Sequence, residues 1–259
     1  MVLRPRRVLA LHLMIIAGLA LSNLPIGIMD ELGHHALLGY SRLMRLEEEA
    51  NIPSFFSALA LVACAIVAWS IHTQLPRNDR DRGAWRLIAL FFGFLALDEA
   101  AMIHELGNRI GFGALLGGLL KHLGVFLYIP VLIPIAAKLF PFWLRQESRL
   151  RAVLLLAAVI YIGGAIGCEL VEDELRVLGY DDYDLPMRAS FIFEEGGEMV
   201  GVAVFLYAFL SRFSALGGGL LVRLAVADAR QDESLAREPF PSLNGAEPEI
   251  QNTLVSSSP

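Results

Sequence analysis

The chain has 259 residues, of which 56% are hydrophobic and 19% are charged, and its mean hydropathy is +0.56. The apolar residues are concentrated in blocks, which is the pattern of a polytopic membrane protein and not of an average soluble domain. The net charge of -6, together with a sequence that has no continuous basic tract, argues against a nucleic-acid partner.

Six apolar blocks are long enough to cross a bilayer, because a spanning helix needs about 20 mainly apolar residues. The sequence therefore predicts an all-α fold, a six-helix transmembrane bundle over residues 1–212 that contacts the lipid bilayer. The blocks cover residues 8–29, 52–72, 85–105, 123–143, 152–171 and 189–210. Residues 213–259 lose this pattern and become rich in proline and serine, which predicts a partly disordered cytoplasmic tail.

Arginines predict the orientation of the bundle. They precede the first block, lie between the second and third and between the fourth and fifth, and follow the sixth. By the positive-inside rule, both termini are then cytoplasmic. The first block also resembles a signal peptide, but its apolar run is longer than a typical signal-peptide core and Pro25 follows its one candidate cleavage site. We therefore expect it to remain attached.

Carboxylates and histidines cluster at the opposite, outer ends of the helices. Charge near hydrocarbon is costly and is usually retained for a function, so these side chains form the candidate site. They are Glu31, His34 and His35; Asp98, Glu99, His104 and Glu105; Glu169 and Glu172; and Glu194, Glu195 and Glu198. Asp30 and Asp173 lie beside them.

Helical spacing predicts which of these acids meet. Asp98 and Glu105 are seven residues apart and share a face, with Met102 between them. At a rise of about 1.5 Å per residue, Asp98 lies roughly 18 Å beyond Arg86, and Glu198 lies roughly 21 Å from the inner side. Asp98 and Glu198 are therefore the deepest acids, and we expect them to share a bound ion or proton.

The residue types allow two chemistries. Carboxylates and imidazoles suit a divalent metal, and clustered carboxylates also share and relay protons. Glu31 and His34 have the Glu-x-x-His spacing of di-metal bundles, whereas His104 and Glu105 are adjacent, so the matching second motif is missing. His12 and the other histidines sit near helix ends, which argues against haem, and the two cysteines fit as buried apolar fillers.

Three stretches resemble one family: residues 49–57, residues 97–105 with the pattern L-D-E-x-x-x-x-H-E, and residues 194–201. Together they resemble a family of uncharacterised bacterial multi-pass membrane proteins, over residues 24–210. The resemblance implies a bacterial inner (plasma) membrane location. It implies no activity, because none is established for that family.

Three functions remain open at this point. The first is a divalent-metal-dependent membrane enzyme or sensor that uses the outer carboxylate and histidine cluster. The second is a proton- or cation-coupled transporter, and the third is a structural or assembly subunit. A transporter predicts a water path from Asp98 to the inner side, whereas an enzyme predicts a closed inner half.

Overall fold

The computed structural model describes residues 4–34, 37–103 and 123–217, and this part of the chain contains helices and turns but no β-strand. By its contacts the chain divides into Met1–Leu220 and Leu221–Pro259, and every described residue lies in the first unit. The predicted tail beyond residue 217 lies outside the described residues, so the domain division at residue 212 stays a prediction. The helices are α1 (Pro5–Ser22), α2 (Leu24–Glu31), α3 (Tyr40–Met44), α4 (Ile52–Gln74), α5 (Arg82–Ala101), α6 (Leu123–Arg145), α7 (Ser148–Ile162), α8 (Glu169–Val177) and α9 (Leu185–Ala215).

The first predicted block forms two helices, α1 and α2, which are separated at Asn23. The side-chain amide of Asn23 donates hydrogen bonds to the carbonyl oxygens of Leu19 and Met44, both at 2.9 Å. Its oxygen accepts the backbone N–H of Leu46 at 3.1 Å. These hydrogen bonds therefore hold the junction between α1 and α2 against the end of α3 and the residues that follow it.

α4 begins at a reciprocal capping box. The side-chain oxygen of Asn51 accepts the backbone N–H of Ser54 at 3.0 Å, and the Ser54 hydroxyl accepts the backbone N–H of Asn51 at 3.0 Å. This arrangement satisfies two donors that a helix start would otherwise leave unpaired. The Asn51 amide also donates to the Arg45 carbonyl oxygen at 2.5 Å, which fixes the preceding loop against the start of the helix.

α5 ends four residues earlier than predicted. Met102 has a φ of 53° and a ψ of 43°, so the chain turns into the left-handed region directly after Ala101. The predicted helical face from Asp98 through Met102 to Glu105 is therefore wrong, because the helix does not continue through Met102. Glu105 itself lies outside the described residues.

The fifth predicted block is interrupted by a turn of π-helix, Gly163–Cys168, between α7 and α8. A Cβ atom on Gly164 would lie 2.8 Å from the carbonyl oxygen of Glu194. A Cβ atom on Gly201 would lie 2.7 Å from the Cβ of Tyr161. Glycine at these positions lets α9 pack backbone to backbone against α7 and the π turn.

α9 is the central helix, since it packs against α1, α4, α7 and the π turn. Trp85 of α5 contacts Phe209 of α9 edge to face, with the ring centroids 5.4 Å apart, and contacts Phe142 of α6 at 5.5 Å. Phe92 meets Phe205 and Phe209, each at 5.3 Å. These five rings, called here the aromatic layer, form part of the main core and align α5 with α9.

Four helical segments in the described part of the chain are long and apolar enough to cross a membrane. They are Pro5–Glu31, Ile52–Gln74, Ser148–Val177 and Leu185–Ala215. This finding supports a membrane protein, but the six-helix bundle is not confirmed. α5 carries two arginines at its start and two acids near its end, so it lacks a comparably uncharged stretch.

Candidate functional site

Acidic side chains from α5 and α9 surround one tyrosine. Asp98, Glu99, Glu195 and Glu198 all lie close enough to Tyr161 of α7 to interact electrostatically with its phenol. Asp98 is buried, with 8% of its surface exposed, and the other three carboxylates are half-buried. The structure thus places the two deepest predicted acids, Asp98 and Glu198, and their neighbours near the same phenol.

A second contact joins α8 to α9. The carboxyl groups of Glu172 and Glu194 lie within hydrogen-bond reach of each other, and the Ser190 hydroxyl also bonds to Glu172. Glu172 is only 4% exposed. Two carboxyl groups can share a hydrogen bond only if one of them carries a proton. Glu198 interacts electrostatically with Glu194 and is also one of the acids near Tyr161. It therefore connects the Glu172–Glu194 pair to that group of acids.

We call these acids, Asp98, Glu99, Glu172, Glu194, Glu195 and Glu198, the carboxyl cluster. Its position follows from the glycine contacts. Gly164 and Gly197 lie opposite each other, and a Cβ on Gly197 would come within 3.2 Å of the Gly164 Cα. This close approach brings α8 and its acids to the level of Glu194. The carboxyl cluster is therefore assembled by backbone packing between helices.

The aromatic layer lies between the carboxyl cluster and the arginine-rich ends of α5 and α9. Along α5, Asp98 follows Phe92 by six residues, or about 9 Å. Along α9, which runs the other way, Glu198 precedes Phe205 by seven residues, or about 10 Å. The ring contacts therefore set Asp98 and Glu198 at nearly the same level. They also fill the core on the basic side of the cluster.

A buried ionic cluster lies near the start of α9. Arg45 donates to Asp30 at 3.0 Å and to Glu47 at 3.3 Å. Arg188 has its Nε 3.6 Å from Asp30, and its Nη1 contacts the Glu47 carboxylate. Arg188 is 2% exposed and Arg45 is 5% exposed. Two arginines held in this way compensate carboxylates that would be costly to bury alone.

Sequence reasoning missed this ionic cluster. It noted Asp30 only as a neighbour of the candidate site, and it began the sixth block at residue 189, directly after Arg188. The sequence contains a usable signal: Arg188 directly precedes the sixth predicted block and lies just six residues before Glu194, so one helix extended by a single residue would contain both. An arginine inside an otherwise apolar helix needs a buried acidic partner. The partner itself, Asp30, could not be predicted because it lies far away along the chain.

The remaining predicted residues are dispersed or outside the described part. Glu31 is exposed and accepts the backbone N–H of Leu185 at 3.1 Å, so it caps the start of α9. His34 is exposed, and Glu169 is half-buried and near Glu194. His35, His104 and Glu105 lie outside the described residues.

No group of three or more histidine, cysteine, aspartate or glutamate side chains that could hold a metal ion occurs in the described residues. Both cysteines lack a disulfide, and Cys64 is fully buried, as expected of an apolar filler.

The fold and the site together define an all-helical protein with apolar helices suited to a membrane and with a buried cluster of carboxyl groups. The chain belongs to the family described as Domain of unknown function (DUF8692), whose model matches residues 7–213. This membership agrees with the resemblance to an uncharacterised family, whereas the motif and the bacterial origin stay predictions. No match was found among curated proteins or among solved structures.

Proposed function

We propose that this protein is an integral membrane protein that senses protons through its carboxyl cluster. The observation that carries the proposal is the hydrogen-bond contact between the carboxyl groups of Glu172 and Glu194. Such a pair holds one proton between two acids and releases it when its surroundings change. Since the pair joins α8 to α9, gain or loss of this proton changes a contact between helices.

The aromatic layer favours a sensor over a transporter. It fills the core between the carboxyl cluster and the basic ends of α5 and α9, where a continuous water path to the inner side would have to run. Protons therefore enter and leave the cluster from one side. The predicted orientation makes that side the outer face of a bacterial inner membrane.

A proton-coupled transporter is the second candidate, and the depth of the acids favours it. Glu194 lies about 14 Å and Glu198 about 20 Å along α9 from its first residue, Leu185, so the carboxylates extend from near the helix end to its middle. In this version Asp98 and Glu198 share the carried proton or cation, and the aromatic layer is the closed inner gate of one transport state.

The proposal is tested by infrared titration of the protein in lipid nanodiscs. We expect the wild type to show a protonated carboxyl band at neutral pH, which Glu172→Gln and Glu194→Gln each remove. The matched control is Glu174→Gln, an exposed residue on the same helix as Glu172. A wild-type protein without that band, or a band equally sensitive to the control substitution, contradicts proton sharing.

Two further measurements separate the functions. Proteoliposomes containing a pH-sensitive dye should hold an imposed pH gradient if the protein is a sensor, whereas a transporter collapses it and loses this activity on Glu198→Gln. Elemental analysis of the purified protein tests the metal-dependent version. Stoichiometric divalent metal that is lost on Asp98→Asn would replace the proton as the occupant of the site.

A further inference from the structure

A cleft of about 600 Å³ lies at the end of the molecule opposite the carboxyl cluster. It is formed where α1 and α7 begin and α9 ends. Among the described residues, its charged lining consists of five arginines and one glutamate, Glu147. The arginines are Arg4, Arg6, Arg7, Arg149 and Arg212, and we call this site the arginine cleft.

We propose that the arginine cleft binds a phosphate-type anion. Arginine recognises phosphate oxygens with paired, charge-assisted N–H donors, and five such side chains in one concave site strongly favour a negative ligand. The single Glu147 leaves most of that positive charge uncompensated within the cleft. This site is at the other end of the described helices from the carboxyl cluster and does not depend on the proposed proton chemistry.

The polar floor of the cleft is already organised. Tyr207 of α9 hydrogen-bonds to Ser211, Arg6 and Arg149, with Arg149 Nη2 at 3.5 Å from the tyrosine oxygen. The phenol therefore holds Arg6 of α1 and Arg149 of α7 close to each other. The Nε of Arg212 is a buried donor that has no hydrogen-bond partner among the described residues. A buried donor without a partner is costly, and an anion in the cleft would satisfy it.

Helix geometry adds to this attraction. Glu147, Arg149 and Leu150 at the start of α7 and Pro5 at the start of α1 line the same cleft. The first backbone N–H groups of a helix have no partner within the helix, and their partial positive charge favours an anion. Two helix starts and five guanidinium groups therefore point to the same kind of ligand.

The apolar wall of the cleft favours a lipid as the source of the phosphate. Leu150, Val153 and Ala208 line the cleft beside the arginines. Three of the candidate membrane-spanning segments have an end here. A phospholipid headgroup would place its phosphate among the guanidinium groups and its acyl chains along this wall. A free phosphate or a soluble phosphate ester offers the same anion without the chains.

The test compares these two sources directly. The protein is exchanged into phosphatidylcholine nanodiscs with or without phosphatidylglycerol, and separately titrated in detergent with inorganic phosphate at constant ionic strength. The readouts are retained lipid, measured by native mass spectrometry, and the shift in unfolding temperature. Arg149→Gln and Arg212→Gln are the test variants. Arg80→Gln, exposed on the loop between α4 and α5 and outside the cleft, is the matched control.

We expect each test variant to weaken binding by about tenfold, the effect of losing roughly one charge-assisted hydrogen bond, and the control to bind like the wild type. If phosphatidylglycerol is retained by the wild type and the control but less by the test variants, the ligand is a lipid. If inorganic phosphate shows this pattern, the ligand is a soluble anion. Wild-type protein that retains neither anion, or equal weakening by Arg80→Gln, overturns the site. Arg149 is exposed, so its substitution tests the site even if Arg212→Gln misfolds.

Discussion

Individual charged residues in this protein have different roles that depend on burial. Glu31 and Glu194 both belong to the predicted site, yet Glu31 is exposed and caps a helix, whereas the half-buried Glu194 shares a hydrogen bond with the buried Glu172. Arg45 and Arg188 were not predicted at all, and they hold the only ionic cluster described around Asp30. The consequence of changing a charge here therefore follows from its partners, and not from its residue type.

Arg45→Met should destabilise the protein strongly. Arg45 bonds to Asp30, whose side chain is fully buried, so removal of the guanidinium leaves a carboxylate with a reduced set of partners. Breaking a buried ion pair in this way typically costs about 3–5 kcal/mol. Thermal and denaturant unfolding in detergent micelles would measure the loss.

The control for that prediction is Arg42→Met. Arg42 lies three residues earlier in α3 and is exposed, so its substitution should change stability by less than about 0.5 kcal/mol. Equal loss in the two variants would contradict a specific role for the buried guanidinium.

At the level of secondary structure, the glycines of α9 differ from one another although they share one sequence motif. Gly197 and Gly201 face Gly164 and Tyr161 at backbone contact distance, whereas a Cβ on Gly196 would have nothing within 4 Å. Glycine at all three positions would permit close helix packing. The close contact occurs at Gly197 and Gly201 but not at Gly196, because neighbouring residues of a helix point about 100° apart.

Gly201→Ala should destabilise the protein by about 1–3 kcal/mol, the usual cost of forcing extra volume into a packed interface. The added Cβ would lie 2.7 Å from the Tyr161 Cβ and would push α7 away from α9. The same movement should alter the infrared signal of the carboxyl cluster, since Tyr161 lies among its acids.

Gly196→Ala is the matched substitution in the same helix. Because open space surrounds this position and alanine is favoured over glycine in helices by about 1 kcal/mol, stability should stay constant or increase. If Gly196→Ala were as harmful as Gly201→Ala, the specific packing role assigned to Gly201 would be contradicted, because helix propensity alone favours alanine at both positions.

At the scale of the whole molecule, the carboxyl cluster and the arginine cleft lie at opposite ends of the described helices. The carboxyl cluster is divided by the aromatic layer from the arginine cleft, and the arrangement matches the charge asymmetry from which the orientation was predicted. Binding of an anionic lipid in the arginine cleft agrees with a location of the cleft at the cytoplasmic leaflet, whose surface is negative. The orientation itself stays a prediction.

Topology reporters should test this orientation. We expect fusions after Arg80, Arg149 and Ser211 to report a cytoplasmic location, and fusions near Gly39, Gly113 and Asp182 to report the outer side, because arginines flank the first set of positions. Paired alkaline phosphatase and green fluorescent protein fusions would measure it. Reversed signals at any two positions would contradict the orientation and the outer access proposed for the carboxyl cluster.

The sequence by itself determined the helical class, the apolar segments and the presence of acids at helix ends. These properties follow from local composition and from the spacing of residues within one helix, and they do not depend on contacts between helices. It also singled out Asp98, which is buried in the structure, although its depth in a membrane stays a prediction. It could not predict that α5 ends at Ala101, because that end depends on a left-handed Met102.

Only the tertiary structure decided which charges meet. Asp30 and Arg188 are 158 positions apart in the sequence, and Arg6 and Arg149 approach Tyr207 from different helices. Such contacts are set by the glycine-mediated packing of α9 against α7 and by the aromatic layer, which fix the relative heights of the helices. The physical reason is that helical periodicity defines the face a side chain occupies, whereas its partner depends on which other helix packs there and in which register.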